Sequence, residues 1–118
     1  MQNSIILGVD IGGSHITSAL VDLDNRSILK NSLRRQRVDS AGSPEAILDT
    51  WAEVLKESLL LYPNSKVISI AMPGPFDYVN GISLISGLSK YEKLYNLNIR
   101  DLLMQRLDTL ADRILFTN

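Results

Sequence analysis

The sequence predicts an α/β protein of one domain, residues 1–118, with a mixed five-stranded sheet in the order βββαβαβ and helices packed on it. Two observations predict this class. Short runs rich in apolar β-branched residues, separated by turn signals, open the chain before any helical pattern appears. Amphipathic helical patterns then alternate with strands, and such steps normally form right-handed parallel units. The content of hydrophobic residues, 45%, fits a globular domain of this length.

Three consecutive antiparallel strands are predicted at the start of the chain. The first covers residues 4–10 (SIILGVD), and a Gly-Gly turn follows at residues 11–14. The second covers residues 15–22 (HITSALVD), whose alternating side chains are typical of a half-buried strand. Beyond the turn residues Asp24-Asn25-Arg26, residues 27–38 are predicted as a single third strand with weaker alternation.

A helix is predicted to begin after Ser43, which would be its N-cap, with Pro44 at the first helical position. Its apolar side chains recur at helical spacing: Ile47, Leu48, Trp51, Val54, Leu55 and Leu59. The turn residues Tyr62-Pro63-Asn64 end this helix. Residues 66–72 (KVISIAM) then form a buried strand, which Pro73-Gly74-Pro75 terminates.

The last part of the chain is predicted to hold smaller elements and a second helix. Asn80-Gly81 is a strong turn signal, and a short strand at residues 82–85 follows it within an otherwise loop-like stretch. Residues 90–96 are predicted as a short helix and residues 99–110 as an amphipathic one. The final strand covers residues 114–117 (ILFT).

The composition excludes several classes of function. The sequence has no cysteine, which removes disulfides and thiolate chemistry. A formal net charge of −1 provides no basic field for nucleic acid or for an anionic membrane. No run approaches the ~20 apolar residues of a membrane helix, and the N-terminus lacks the basic start of a signal peptide. We therefore expect a cytoplasmic protein whose partners include neither nucleic acid nor membrane.

The stretch Asp10-Ile11-Gly12-Gly13-Ser14 is the first candidate site. An acid ends a buried strand, and two glycines then allow the backbone to turn tightly and approach a ligand. Backbone N–H groups of such a loop bind phosphate, and an Asp carboxylate is a suitable ligand for Mg²⁺. The alternative is a plain hairpin turn whose glycines supply positive φ angles.

Two stretches of the chain resemble the N-terminal part of the ROK family, named for repressor, open reading frame and kinase. The first is GVDIGGS at residues 8–14 with ALVD at residues 19–22, and the second is IAMPGPFD at residues 70–77. The family commonly has an Asp-x-Gly-Gly-Thr loop and, after the fourth strand, a Pro-Gly-Pro loop. Here Ser14 replaces the Thr and keeps a hydroxyl, and His15 stands where the family often has Lys.

The resemblance implies a fold, an activity and cofactors. The fold is the ribonuclease H-like lobe of actin-like ATPases. The activity is that of a glucokinase-like sugar kinase, which transfers a phosphoryl group from MgATP to a hexose or N-acetylhexosamine. By this resemblance Asp10 handles Mg²⁺, and Gly12, Gly13 and Ser14 line the phosphates of ATP. It also places Gly74, Pro75, Gly87 and Asn118 around the sugar, although Ser86-Gly87-Leu88 replaces the Pro-Asn-Leu-like segment of many members.

The chain ends at Asn118, where the matching strand of ROK kinases continues into the catalytic Asp. The resemblance therefore predicts the N-terminal lobe of a two-lobe kinase, with the general base directly after Asn118. The adenosine-binding segments and a His/Cys cluster for structural Zn²⁺ would also lie beyond this chain. We expect such a lobe to be inactive alone and to pair with a second copy through exposed apolar surface.

Two alternatives to a kinase lobe remain. One is the sugar-sensing domain of a ROK-type repressor, which carries a helix-turn-helix ahead of the glycine loop. The loop begins here at Asp10, which leaves no room for that motif and favours the kinase. The other alternative is a different actin-like ATPase or an acyl-kinase lobe, which the Pro-Gly-Pro loop makes the weaker hypothesis.

A few other residues are interpreted as structural. Arg34, Arg35 and Arg37 form a basic cluster that we interpret as edge-strand protection rather than as an anion site. Trp51 lies on the apolar stripe of the first helix and is predicted to be in the core. For Lys90 and Tyr91 a loop leading into a surface helix is predicted at least as strongly as a contact with the sugar.

Overall fold

Two helices pack on one face of a mixed β-sheet in the computed structural model, which describes residues 4–118. The strands are β1 (Ile5–Ile11), β2 (His15–Asp22), β3 (Ser27–Ile28), β4 (Arg34–Arg37), β5 (Val67–Ala71), β6 (Phe76–Asp77), β7 (Ile82–Ser83) and β8 (Arg113–Thr117). The main sheet has the order β3-β2-β1-β5-β8, with β4 also pairing with β2, and β6 pairs with β7 in a separate hairpin. Antiparallel pairing of β1 with β2 and parallel pairing of β1 with β5 and of β5 with β8 confirm the mixed sheet.

The helices are α1 (Pro44–Leu61) and α2 (Ile99–Leu107), and short 3₁₀ turns occupy Glu92–Leu94 and Asp108–Leu110. The start of α1 is where the sequence predicts it, because the Ser43 hydroxyl accepts a hydrogen bond from the Ala46 N–H at 3.1 Å. The Asn98 side chain caps α2 in the same way through the Asp101 N–H. Within residues 4–118, neither helix combines the length and apolar character that crossing a membrane requires.

The alternation of side chains along the strands separates the two faces of the sheet. One face carries buried residues: Leu7, Val9, Ile11, Ile16, Leu20, Ile68, Ile70, Ile114 and Phe116. Ser18 belongs to this face and pairs with Ser58 of α1 at 2.8 Å, so the helices cover it. We call the opposite face, which carries Asp10, Thr17 and Arg35, the outer face. Burial of the apolar residues between sheet and helices is the main contribution to stability.

The third predicted strand is wrong as a single element. Residues 27–38 divide into β3 and β4, and both pair with β2. The break lies at Asn31, whose φ is 65°, and at Ser32, whose buried hydroxyl accepts from the Leu20 N–H at 3.1 Å. The same hydroxyl donates to the Leu29 carbonyl oxygen at 2.7 Å. This side-chain turn takes the place of the backbone pairing that a continuous strand would form.

The short helix predicted over residues 90–96 is reduced to one 3₁₀ turn, Glu92–Leu94. Tyr91 before it and Asn96 after it have φ values of 53° and 68°, which a continuous α-helix cannot include.

Two further elements differ from prediction. Helix α2 ends at Leu107 instead of residue 110, since Asp108 has a φ of 51°. In the loop-like region after the Pro-Gly-Pro stretch, Phe76–Asp77 pairs with Ile82–Ser83 across the predicted Asn80-Gly81 turn.

Candidate functional site

A row of cross-strand neighbours crosses the main sheet at the carboxyl ends of its parallel strands. Asp10 near the end of β1 lies opposite Ala71 of β5, and Ala71 lies opposite Thr117 of β8. On its other side Asp10 faces Thr17 of β2, which in turn faces Arg35 of β4. Because β1, β5 and β8 are parallel, the segments that follow them emerge together at this edge. Carboxyl ends of strands are where open α/β sheets normally bind ligands.

The first of these segments is the glycine loop, residues 12–14. The Gly12 N–H donates to the His15 carbonyl oxygen at 2.8 Å, which closes the turn between β1 and β2. The N–H groups of Gly13 and Ser14 have no hydrogen-bond partner among the described residues. Of the three amides of the loop, the Gly12 N–H is therefore used by the turn, and those of Gly13 and Ser14 remain as adjacent donors.

The two glycines do not act by adopting left-handed backbone. Among the described glycines, positive φ values occur at Gly81 and Gly87, and not at Gly12 or Gly13. The loop is the tight turn of a β1–β2 hairpin, as that alternative predicts, but the prediction that its glycines supply positive φ is wrong. A Cβ at Gly12 would lie 3.5 Å from the His15 carbonyl oxygen, and one at Gly13 would lie 3.4 Å from the Lys90 Cδ. What the glycines provide is a surface without side chains, on which a ligand approaches the main chain.

His15 follows the glycine loop at the start of β2. Its Nδ1 and the Ser14 Oγ are 2.9 Å apart, a hydrogen bond whose donor depends on the imidazole tautomer. Partial burial lowers the pKa of His15, and the positive charges of Arg35 and Arg37 lower this pKa further. The side chain is consequently mainly neutral at pH 7.

Tyr91 fixes the glycine loop from below. Its hydroxyl donates to the Gly12 carbonyl oxygen at 2.5 Å, and its N–H donates to the Ser40 carbonyl oxygen at 2.9 Å. The ring is fully buried and packs against Trp51 of α1, with the ring centroids 5.3 Å apart. Burial raises the pKa of Tyr91 to about 12, so the hydroxyl remains a donor at neutral pH. The interpretation of Tyr91 as part of a surface helix is wrong, whereas Trp51 is in the core as predicted.

The second segment is the proline loop, residues 72–75. The Met72 N–H donates to the Thr117 carbonyl oxygen at 2.9 Å, which extends the pairing of β5 with β8 by one residue. The Tyr78 hydroxyl donates to the Met72 carbonyl oxygen at 2.8 Å and lies 3.4 Å from where a Cβ of Gly74 would be. The Gly74–Pro75 peptide bond is cis.

Residues 84–91 connect the two loops. At one end the Leu84 N–H donates to the Pro75 carbonyl oxygen at 3.1 Å, and at the other Tyr91 holds Gly12. The middle of the segment is held by Glu92, which follows it and whose carboxylate accepts hydrogen bonds from the N–H groups of Gly87 and Ser89, at 3.2 and 3.0 Å. Each end of this segment therefore restrains one of the two loops.

Most of the predicted site residues lie at one end of the sheet. Asp10 lies near the end of β1 and the glycine loop follows that strand, Gly74 and Pro75 follow β5, and the exposed Asn118 follows β8. Gly87 lies apart from these strand ends, on the connecting segment. Sequence reasoning missed the two tyrosines that hold the loops. The sequence carries no signal for them, because each role depends on a tertiary contact.

The basic cluster of the sequence is divided by the sheet. Arg34 lies on the helix-covered face and forms an ion pair with Glu57 of α1, with 3.2 Å between Nε and Oε1. Arg35 and Arg37 lie on the outer face, opposite Thr17 and His15. Two of the three guanidinium groups are thus on the same face as Asp10.

Comparison with solved structures shows which proteins share this fold. The inorganic polyphosphate/ATP-glucomannokinase of Arthrobacter sp. strain KM superposes with a TM-score of 0.76 at 25% sequence identity, over 98% of this chain. A ROK family glucokinase from Streptomyces griseus, solved with glucose and AMPPNP, gives a TM-score of 0.74 at 20% identity over 97% of this chain. A ROK family transcriptional regulator, a homologue of the E. coli MLC protein, gives 0.68 at 18% identity.

The likeness confirms the predicted resemblance to ROK sugar kinases at the level of fold. The chain spans 44% of the glucomannokinase, 33% of the glucokinase and 27% of the regulator. No protein-family model and no curated protein sequence matches the chain. The fold is the one that ROK kinases have in this part of their chains.

Proposed function

We propose that this chain is the N-terminal lobe of an ATP-dependent sugar kinase, which transfers a phosphoryl group from MgATP to a hydroxyl of a hexose or N-acetylhexosamine. The observation that carries the proposal is the common sheet edge, from which the glycine loop and the proline loop leave adjacent parallel strands. Sugar kinases share this fold. Since the chain spans less than half of these kinases, we propose that it supplies one wall of the cleft and has no turnover alone.

The glycine loop supplies the donors for phosphate in this proposal. Gly13 and Ser14, whose N–H groups have no partner among residues 4–118, line a cleft of about 270 Å³ that Asp10 and Thr17 also line. Adjacent main-chain donors of this kind bind phosphate oxygens. The Ser14 hydroxyl adds a further donor, and the side-chain-free surface of the glycines lets the phosphates approach the amides.

Asp10 is the residue that would hold Mg²⁺. Its carboxylate is exposed near the end of β1. Residues 4–118 contain no group of three or more His, Asp or Glu side chains placed to hold a metal ion together. One carboxylate fits the needs of Mg²⁺, which commonly takes one or two protein carboxylates and completes its shell with water and substrate phosphate oxygens. When bound, the ion neutralises charge on the phosphates.

The sugar would lie toward the proline loop. Gly74 and Pro75 form a rigid turn there, and Gly87 has open space where its Cβ would be, with no atom within 4 Å. The side-chain amide of Asn118 can both donate to and accept from sugar hydroxyls. Positioning of two reactants is most of what phosphoryl transfer requires of a protein.

A second candidate function is the sugar-sensing domain of a ROK-type transcriptional repressor. It is favoured by one observation, the presence of a ROK regulator among proteins of the same fold. A sensor needs the sugar side of the site and does not need the phosphate donors. The two functions therefore differ in whether the glycine loop binds MgATP.

The test is a titration of the isotope-labelled 118-residue chain followed by amide NMR. We expect MgATP to shift the resonances of Gly13 and Ser14, and glucose, mannose or N-acetylglucosamine to shift those of Gly74, Gly87 and Asn118. A coupled assay for sugar phosphorylation should show no turnover. The variant Asp10→Asn should weaken the response to MgATP, whereas Asp101→Asn on the exposed side of α2 should not.

Other outcomes decide against the kinase proposal. A response to sugars with no response of Gly13 and Ser14 to millimolar MgATP would favour the sensor. No response to either ligand at these residues would reject both functions for this surface. Turnover by the chain alone would show that it is more than one wall of a cleft.

A further inference from the structure

Two arginines beside the glycine loop have no place in the function described above. Arg35 and Arg37 alternate along β4, so both side chains project from the outer face of the sheet. Among residues 4–118 neither guanidinium group has an ion pair or a hydrogen-bond partner. Arg34, by contrast, is paired with Glu57 on the other face. Protection of an edge strand explains why β4 carries arginines. It does not explain why the two unpaired arginines lie on the face that carries Asp10.

The arginines line two clefts that meet at the glycine loop. Arg35 borders the cleft of about 270 Å³ that contains Asp10 and the loop amides. Arg37 borders a neighbouring cleft of about 530 Å³, and both clefts include Gly13 and Ser14 in their walls. A continuous surface therefore runs from the loop amides across the start of β2 to β4.

The geometry points to an anion track, formed by Arg35 and Arg37, that continues from the glycine loop and binds a linear oligophosphate. This inference rests on the proposed function, because the loop amides of Gly13 and Ser14 hold the first phosphoryl group. The ligand class is a chain of at least three phosphoryl groups, either the triphosphate of a nucleotide or an inorganic oligophosphate. The planar guanidinium is suited to this role because it donates two parallel hydrogen bonds to one phosphate.

Charge around the track supports the assignment. Arg37 lies directly opposite His15, and Arg35 lies opposite Thr17 two residues further along β2, so both guanidinium groups flank the residue that follows the loop. The carboxylates that face the same surface are Asp10 and Asp39. The Asp39 carboxylate accepts a hydrogen bond from the Ala41 N–H at 3.0 Å. Lys90 adds a further cation, since its aliphatic stem lies against Gly13. Positive groups thus outnumber the two acids on this surface.

The test compares tripolyphosphate with MgATP on the full 118-residue chain, with Mg²⁺ present and the Gly13 and Ser14 amide shifts as the readout. We expect the double variant Arg35→Gln, Arg37→Gln to weaken tripolyphosphate binding at least about tenfold, because two charge-assisted contacts are lost. Arg34→Gln is the matched control and should change the affinity less than about twofold. Circular dichroism melting should show that all variants fold, since the Arg35 and Arg37 side chains have no hydrogen bond or ion pair among residues 4–118 and Arg34 loses only a partly exposed ion pair with Glu57.

The ligand arms separate the two sources of oligophosphate. Equal weakening for MgATP and tripolyphosphate supports a nucleotide triphosphate on the track, and weakening for tripolyphosphate alone supports an inorganic chain. Unchanged affinity for tripolyphosphate in the double variant overturns the track, even where Gly13 and Ser14 still respond and the proposed function stands. An unmodified chain whose loop amides respond to neither ligand overturns both proposals.

Discussion

The glycine loop and the proline loop leave neighbouring parallel strands at the same edge of the sheet, and a tyrosine hydroxyl holds a carbonyl oxygen in each. Their surroundings differ. The glycine loop has two amides without a partner in the described part of the chain, and Arg35 lies beside them, whereas the proline loop lies close to the aromatic rings of Phe76 and Tyr78. Two similarly anchored turns can therefore serve different ligands, because the neighbouring side chains determine which chemistry each can bind.

The tyrosines themselves should differ most in their effect on stability. Tyr91 is fully buried against Trp51, so Tyr91→Ala should lower the free energy of unfolding by about 3–5 kcal/mol. Tyr78 is only partly buried beside Phe76, and Tyr78→Ala should cost about 1–2 kcal/mol. Urea denaturation measures both. Tyr95, which is 51% exposed, is the control, and its Ala variant should change stability by less than about 0.5 kcal/mol.

The corresponding Phe variants isolate the hydroxyl groups. Tyr91→Phe and Tyr78→Phe each remove one hydrogen bond to a carbonyl oxygen, at a cost of about 1 kcal/mol. If the loops serve different ligands, Tyr91→Phe should weaken MgATP binding and Tyr78→Phe should weaken sugar binding. Equal effects of both variants on both ligands would contradict separate roles for the two loops.

The fold was predictable where local signals are strong. The alternation over His15–Asp22 and the Ser43-Pro44 start of α1 predict both elements correctly, because each depends on residues close in sequence. The break between β3 and β4 was not predictable, since it depends on the Ser32 hydroxyl reaching the backbone of Leu20 on another strand.

The candidate site divides in the same way. Asp10 and the two glycines are recognisable from their spacing, but Tyr91 acts on a residue 79 positions earlier in the chain. Nothing in the local sequence marks a tyrosine with a φ of 53° as the support of a distant loop. The period of two along a strand could have separated Arg34 from Arg35 and Arg37. Grouping them by sequence proximity obscured that separation.

Adding a methyl group to each loop should leave the fold intact and distinguish the ligands. Gly13 and Gly74 lack positive φ values, and a Cβ at either would meet its nearest neighbour at 3.4 Å. Gly13→Ala and Gly74→Ala should therefore change the free energy of unfolding by less than about 1 kcal/mol. Because the methyl group covers the bare surface of a loop, Gly13→Ala should weaken MgATP binding and Gly74→Ala sugar binding.

Gly81 provides the contrasting control for these glycine variants. Its φ is 77°, and a Cβ there would lie 2.8 Å from the Cβ of Arg100. Gly81→Ala should therefore destabilise the fold by about 1–3 kcal/mol, well beyond either loop variant. A large loss of stability in Gly13→Ala would show that the glycine is needed by the fold and not by a ligand.

The positive charge beside the glycine loop should have a smaller effect, which is measured on the pKa of His15. His15 is the one histidine of the sequence, so its proton NMR signals are unambiguous. Its pKa should lie below the ordinary value of 6.5 and should rise toward that value in Arg35→Gln and Arg37→Gln, but not in Arg34→Gln. Because the unfolded chain takes up this proton first, the stability that the neutral imidazole contributes is present above pH 6.5 and is lost as the pH falls through the lowered pKa. Urea denaturation at about pH 7.5 and pH 5.5 should show this loss, and it should be smaller in the double arginine variant. A His15 pKa that is the same with and without the two guanidinium groups would mean that their charge does not reach the glycine loop, and the loops would then differ in shape alone.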